Sequence, residues 1–205
     1  MPIFTPEIFA AEFANGTFTE TYPAGCLVTP APRRAARGRS GEVLFAALDL
    51  RAQTPLPAEE LGRLTSLLSR VYFATAGSVT AALRAAFVAV NAEVLPFGQF
   101  PAPITPAGGG LVQLHAVCAV MQEGGLYLGY AGDVLALILR DNNVESYPAR
   151  GDTPPRPLAA SMNVDLRYGH STLSSPTTLI LAASPAPSWI GAPAGLGNLS
   201  LPAIA

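Results

Sequence analysis

The sequence predicts an α+β domain, a four-layer α/β/β/α sandwich of two antiparallel sheets that face one another and are flanked by helices. Three observations predict it. The strand-like runs 126–131 and 134–139 are apolar on both faces, whereas an antiparallel sheet with one wet face alternates apolar and polar residues. Two amphipathic helical segments stand together between groups of strands, and an open parallel sheet would alternate strands and helices singly. Half of the 205 residues are apolar and only 13% are charged, enough to bury one sizeable core and too few residues for a second full domain.

Taken in order, residues 1–16 read as an N-terminal arm with a short helix over Pro6–Phe13. Thr17–Tyr22 (TFTETY) alternates and reads as a strand, and Ala24–Thr29 as a second one. Pro30–Gly41 (PAPRRAARGRSG) is a basic, Pro/Gly-punctuated loop that carries Arg33, Arg34, Arg37 and Arg39 and is expected to be solvated. Glu42–Leu50 (EVLFAALDL) is a buried strand with Asp49 near its end. Pro57-Ala58-Glu59-Glu60 has the chemistry of a helix first turn, with acids beside the positive end of the dipole. Leu61, Leu64, Leu67, Leu68, Val71 and Tyr72 then recur at helical steps.

A second helix from Ser78 to Leu95 presents Val79, Leu83, Phe87, Val90 and Val94 beside the small Ala82 and Ala86. Phe97–Gly110 reads as a flexible connection or flap. Leu111–Pro148 reads as a four-strand meander, with turns at Glu123-Gly124-Gly125, Gly132-Asp133 and Asp141-Asn142-Asn143. A Pro/Gly loop and a polar segment around Leu158–Tyr168 lead to a last buried strand, Thr177–Ala183. The domain is expected over 17–190, followed by a Pro/Gly-rich tail or linker at 191–205.

Composition excludes several function classes. A net charge of −2 gives no reason to expect nucleic acid or an anionic membrane as partner. All twelve basic residues are Arg, which removes Lys-based Schiff-base chemistry and points to GC-rich codons. Two cysteines are too few for a disulfide scaffold, and Cys118, mid-strand, reads as a small buried hydrophobe. No signal peptide, membrane span or Cys/His zinc motif is read, so a cytoplasmic location is expected.

The order of these elements resembles the metal-dependent protein phosphatases, the protein phosphatase 2C-like family, over roughly 17–190. LYLGYAGDVLALILRDNNVESYP is similar to the family's hairpin with Gly-Asp between apolar strands, which sets Asp133 at the Asp. EVLFAALDL is similar to its strand ending in Asp-Gly, with Asp49 at the Asp; ALRAAFVAVNAEVL carries a late Asn, Asn91; TTLILAASPAP is similar to its strand ending in Ser-Asp-Gly. The resemblance implies two divalent ions held by carboxylates, because hard cations take oxygen ligands, and a metal-bridged hydroxide that attacks phosphorus.

The departures imply a degenerate, catalytically inactive member with no catalytic residue. Leu50 follows Asp49 in place of Gly, Ser184 and Pro185 stand at the last Asp-Gly, and Pro30–Gly41 holds no acid. Asp49, Asp133 and Ser184 are thus remnant metal-site positions, and no cofactor is expected. Magnesium or manganese enters only if the chain is a weakly active phosphatase using Asp49 and Asp133. Arg33 or Arg34 loosely matches the family's phosphate-binding Arg, since guanidinium forks match phosphate oxygens. A protein partner of unknown identity is expected.

Blander readings stand beside these. Asp49 can simply cap its strand end beside Arg51, and Asp133 can be a turn residue. His115 reads as a satisfied histidine near a sheet edge, and His170 lacks a metal-binding or triad partner. Gly108–Gly110 lacks the Lys-Ser/Thr of a phosphate loop. An N-terminal-nucleophile hydrolase is the remaining alternative, but exposing Thr17 or Cys26 as nucleophile would need a cleavage for which no signal is read.

Overall fold

A computed structural model of the chain describes residues 7–8, 12–14, 17–19, 23–52, 58–98, 112–140, 143–174 and 176–185. Among these residues, twelve elements run in the order β1 (Glu12–Ala14), β2 (Thr17–Thr19), β3 (Cys26–Pro30), β4 (Val43–Ala52), α1 (Ala58–Ala74), α2 (Val79–Gly98), β5 (Val112–Gln122), β6 (Gly125–Ala131), β7 (Val134–Arg140), β8 (Asn143–Tyr147), β9 (Arg167–Thr172) and β10 (Thr178–Ala183). All pairings between these strands are antiparallel. They build a five-stranded sheet β3-β4-β5-β6-β9, a three-stranded sheet β10-β7-β8 and the small hairpin β1-β2.

For the strands of the large sheet, the double burial seen in the sequence has its cause in two cores, one on each face. Leu44, Ala46, Leu48, Leu114, Ala116, Cys118 and Val120 pack against Leu64, Leu68, Leu83, Phe87, Val90 and Val94 of the two helices. The alternate residues Ala47, Val117, Ala119, Leu128 and Tyr130 pack against Val134, Ala136, Ile138, Leu179 and Leu181 of the small sheet. Both described helices therefore cover the large sheet, and the small sheet covers its other face. Close approach requires small residues at the contact: a Cβ on Gly129 would stand 3.3 Å from Leu83 of α2.

Helix α2 is long and apolar enough, by length and composition, to cross a membrane. Its apolarity is accounted for by the stripe from Val79 to Val94, which is buried on the sheet. Ser78 caps it, its Oγ accepting the amide of Ala81 at 3.1 Å.

Four readings of the sequence change. The 111–148 stretch is not one meander: β5 and β6 belong to the large sheet, β7 and β8 to the small one, and the chain passes between sheets at Gly132-Asp133. Alternation cannot reveal this, because strands in both sheets are apolar on each face. The polar segment before Tyr168 runs into a strand, β9, which pairs at the edge of the large sheet and so tolerates exposed polar residues. Phe13, assigned to a helix, lies in strand β1; most of that segment falls outside the described residues.

The fourth change concerns the basic loop, which is not uniformly solvated. Arg39 is buried, donating to the carbonyls of Thr75, Gly77 and Ser78, to Glu42 Oε1 at 2.9 Å and to the Tyr72 hydroxyl. Tyr72 in turn donates to Glu42 Oε2 at 2.7 Å. The turn at Glu123-Gly124 is as expected, both residues having positive φ in a two-residue hairpin loop. Phe97 and Gly98, read as the start of a flap, end helix α2; the rest of that connection to Gly110, the Asp141-Asn142 turn and the 191–205 tail lie outside the described residues.

Candidate functional site

Register alone brings the candidate residues together. Asp49 on β4 pairs with His115 on β5. The β5–β6 register sets Ala116 opposite Ala131, so Gly132 follows onto the same row as His115. The β7–β10 register ends at Val134 opposite Ala183, which brings Ser184 to Asp133. Asp49, Arg51 and His115 alternate in step with Ala47 and Val117, so they share the face turned toward the small sheet. The result is a polar mouth at one end of the apolar space between the sheets.

Within that mouth, Ser184 donates its hydroxyl to Asp49 Oδ2, and its amide donates to the carbonyl of Asp133 at 3.0 Å. Ser184 holds φ +59°, a left-handed conformation that turns the chain out of β10. Arg51 Nε donates to Asp49 Oδ2 at 3.2 Å, and its Nη2 lies 3.7 Å from Asp133 Oδ2. One guanidinium thus faces both carboxylates. All three side chains remain 37–49% exposed.

His115 is the buried member. Its Nδ1 accepts the backbone amide of Asp133 at 2.8 Å, which fixes the neutral ring with its proton on Nε2. That Nε2 is buried without a hydrogen-bond partner among the described residues. Burial first, and then the Arg51 charge, lower its pKa, against smaller raising effects of Asp49 and Asp133. Gly132 is required above it: with φ +84°, a Cβ there would stand 2.6 Å from Nδ1. The expectation of a satisfied histidine near a sheet edge is corrected, because β5 is the central strand of its sheet and one ring nitrogen has no partner among the described residues.

Other candidates lie elsewhere. Arg33 and Arg34 are exposed in the loop that joins Pro30 to Val43, at the opposite end of β4 from Asp49 and roughly 20 Å away along the strand. Ala36 binds the carbonyl of Phe73 and holds that loop against the end of α1. Asn91 is structural: its amide group bonds the Ala159 amide at 2.7 Å and the Ser161 carbonyl at 3.0 Å. Cys118 is fully buried, and burial pushes its thiol pKa up, as a small core residue requires. A groove of about 270 Å³ lined by Gln122, Glu123, Tyr127 and His170 sits at the far end of β5 from His115 and contains none of the carboxylate cluster.

Sequence reasoning names Arg51 only as a neighbour of Asp49. The signal that could have found it is the spacing of two on a strand, which puts residues 49 and 51 on one face.

No protein-family model matches the sequence, and no curated protein does. Solved structures match by fold. The serine/threonine phosphatase Stp1 from Staphylococcus aureus superposes with a TM-score of 0.55 at 13% identity, covering 85% of this chain and 74% of that one. A bacterial serine phosphatase bearing a point mutation gives 0.54 at 11% identity, over 82% and 73%. PppA, a key regulatory component of T6SS in Pseudomonas aeruginosa, gives 0.51 at 14% identity, over 77% and 69%. The chain has the fold that these bacterial proteins share, the serine/threonine phosphatase Stp1 among them.

Proposed function

We propose that this phosphatase fold is a pseudophosphatase, an interaction or regulatory domain of bacterial Ser/Thr phospho-signalling that does not hydrolyse phosphoesters and works in the cytoplasm. The observation that carries the reading is the state of Asp49: its Oδ2 already accepts from both Ser184 and Arg51. In the family the sequence resembles, carboxylates bind two divalent ions, and those ions activate the attacking hydroxide. Hard cations need several oxygen donors. Among the described residues, the oxygen donors at this mouth are two carboxylates and the Ser184 hydroxyl. Among the described residues no group of three or more His, Cys, Asp or Glu stands together in a way that could hold a metal ion. The donor set does not fit a dinuclear centre.

Asp49, Asp133 and Ser184 lie together on this surface, and a protein partner that reads such a surface does not need hydrolysis. The test is turnover of a phosphoserine or phosphothreonine peptide by the full chain with manganese in excess. No release of phosphate above the buffer rate is the expected result. Release that disappears in Asp49→Asn would overturn the proposal in favour of a weakly active enzyme.

A further inference from the structure

The two carboxylates of the mouth come from different sheets. Asp49 lies on β4 of the large sheet, and Asp133 stands where the chain enters β7 of the small one. Two negative groups facing one small volume repel each other and draw in a cation. The chain supplies one itself: Arg51 stands 3.2 Å from Asp49 through Nε and 3.7 Å from Asp133 through Nη2. A guanidinium presents a fixed positive charge with a planar fork of donors that matches carboxylates.

We propose that Arg51 is the resident cation of this mouth, and that it excludes divalent ions by occupying the position between Asp49 and Asp133. The inference rests on reading the mouth as a former metal site. It goes further by assigning the loss of metal to an occupant as well as to absent ligands. A divalent ion entering between the carboxylates would meet a fixed positive charge within a few ångströms and would have to displace hydrogen bonds already made. Ser184 adds to the exclusion, since its donated hydroxyl proton occupies Asp49 Oδ2. Its side-chain oxygen is nonetheless a hard donor that becomes available on rotation. Arg51 is half exposed, so its replacement leaves the core untouched.

The experiment compares the full chain with Arg51→Ala, Arg51→Gln, Ser184→Asp and the double variant Arg51→Ala/Ser184→Asp, using manganese chloride titration by calorimetry and thermal melting. The wild type is expected to give no heat of binding and no change in Tm. Arg51→Ala and Arg51→Gln are expected to gain about 2–4 °C in Tm at manganese concentrations several times their dissociation constant. Ser184→Asp alone, which keeps Arg51, is expected to bind at least about tenfold more weakly than the double variant. Folded Arg51→Ala and Arg51→Gln that respond to manganese no more than wild type would overturn the inference while leaving the pseudophosphatase reading intact. A response in the Ala variant and none in the Gln variant would overturn the charge argument. Wild-type phosphopeptide turnover with manganese would instead sink the reading beneath it.

Discussion

Two arginine–carboxylate clusters stand at opposite ends of β4, and they differ in almost everything except their chemistry. At the start of the strand, Arg39 and Glu42 are 1% and 0% exposed, and each N–H of the guanidinium has an acceptor. The Arg39 guanidinium also lies 5.0 Å from the Tyr72 ring centroid. Burial first, then the Glu42 carboxylate, raise the Tyr72 pKa, so the phenol stays a donor. At the end of the strand, Arg51 and its two aspartates are open to water. The difference teaches that an ion pair becomes structural through burial and complete hydrogen bonding. One that stays wet is left available for other uses.

The most direct way to break the comparison is to remove Arg39. Arg39→Met leaves Glu42 buried without its guanidinium partner and strips the donor from three carbonyls of the α1–α2 turn. Breaking a buried pair in this way costs about 3–5 kcal/mol. Urea unfolding should show that loss, and pairing the change with Glu42→Gln should return part of it. A loss below that of an ordinary surface change would mean that the knot adds nothing to the fold.

Gly132→Ala comes next. It asks a left-handed position to carry a Cβ that would stand 2.6 Å from the His115 ring and 3.2 Å from its backbone. The strain alone is worth about 1–3 kcal/mol. Because Asp133 follows directly, the change also pulls the Asp133 amide from His115 Nδ1 and loosens the mouth, and this is readable as faster amide exchange at Asp133.

Much of the first cluster's neighbourhood is legible in the sequence, and little of the second. Val79, Leu83, Phe87, Val90 and Val94 follow a helical period because one face of α2 is buried, and burial writes itself into a sequence as periodicity. The doubly apolar strands disclose the two-faced burial for the same reason. Which sheet each strand joins is not legible: β7 is as apolar as β6, and only Gly132-Asp133 marks the crossing. Arg39 is hidden among four loop arginines because no local pattern distinguishes the one whose partners are carbonyls of a distant turn. Asp49, Asp133 and Ser184 are found through the resemblance. Arg51 has a role that is a matter of three-dimensional charge, and in the sequence it is only a neighbour.

His115 sharpens the comparison in the buried half of the mouth. Its pKa is lowered in the fold, so the neutral ring is favoured there, and protonation would aim a new Nδ1–H at the Asp133 amide. The unfolded chain therefore takes up a proton first as pH falls. Stability is full above about pH 6.5, the unfolded value, and declines below it until the folded pKa is reached. Between pH 7.5 and 5.5 the loss is at most about 1.4 kcal/mol. His115→Phe should flatten this slope in urea titrations, because it removes the group whose pKa the fold lowers. An unchanged slope would assign the pH dependence elsewhere.

The smallest effect is expected where the function is proposed to lie. Arg51→Gln removes the charge between Asp49 and Asp133 but keeps a hydrogen-bonding side chain. Exposed pairs of this kind are worth about 0–1 kcal/mol each and are screened at ordinary ionic strength. The carboxylates left behind repel each other, and that repulsion is also screened. The expected change in stability is therefore below about 1 kcal/mol at low salt and smaller still in about 0.5 M sodium chloride. A wet cluster that could be stripped of its cation at so little cost is not held in place for stability. A loss as large as that of Arg39→Met would show the mouth to be a second structural knot and remove the contrast on which its separate role rests.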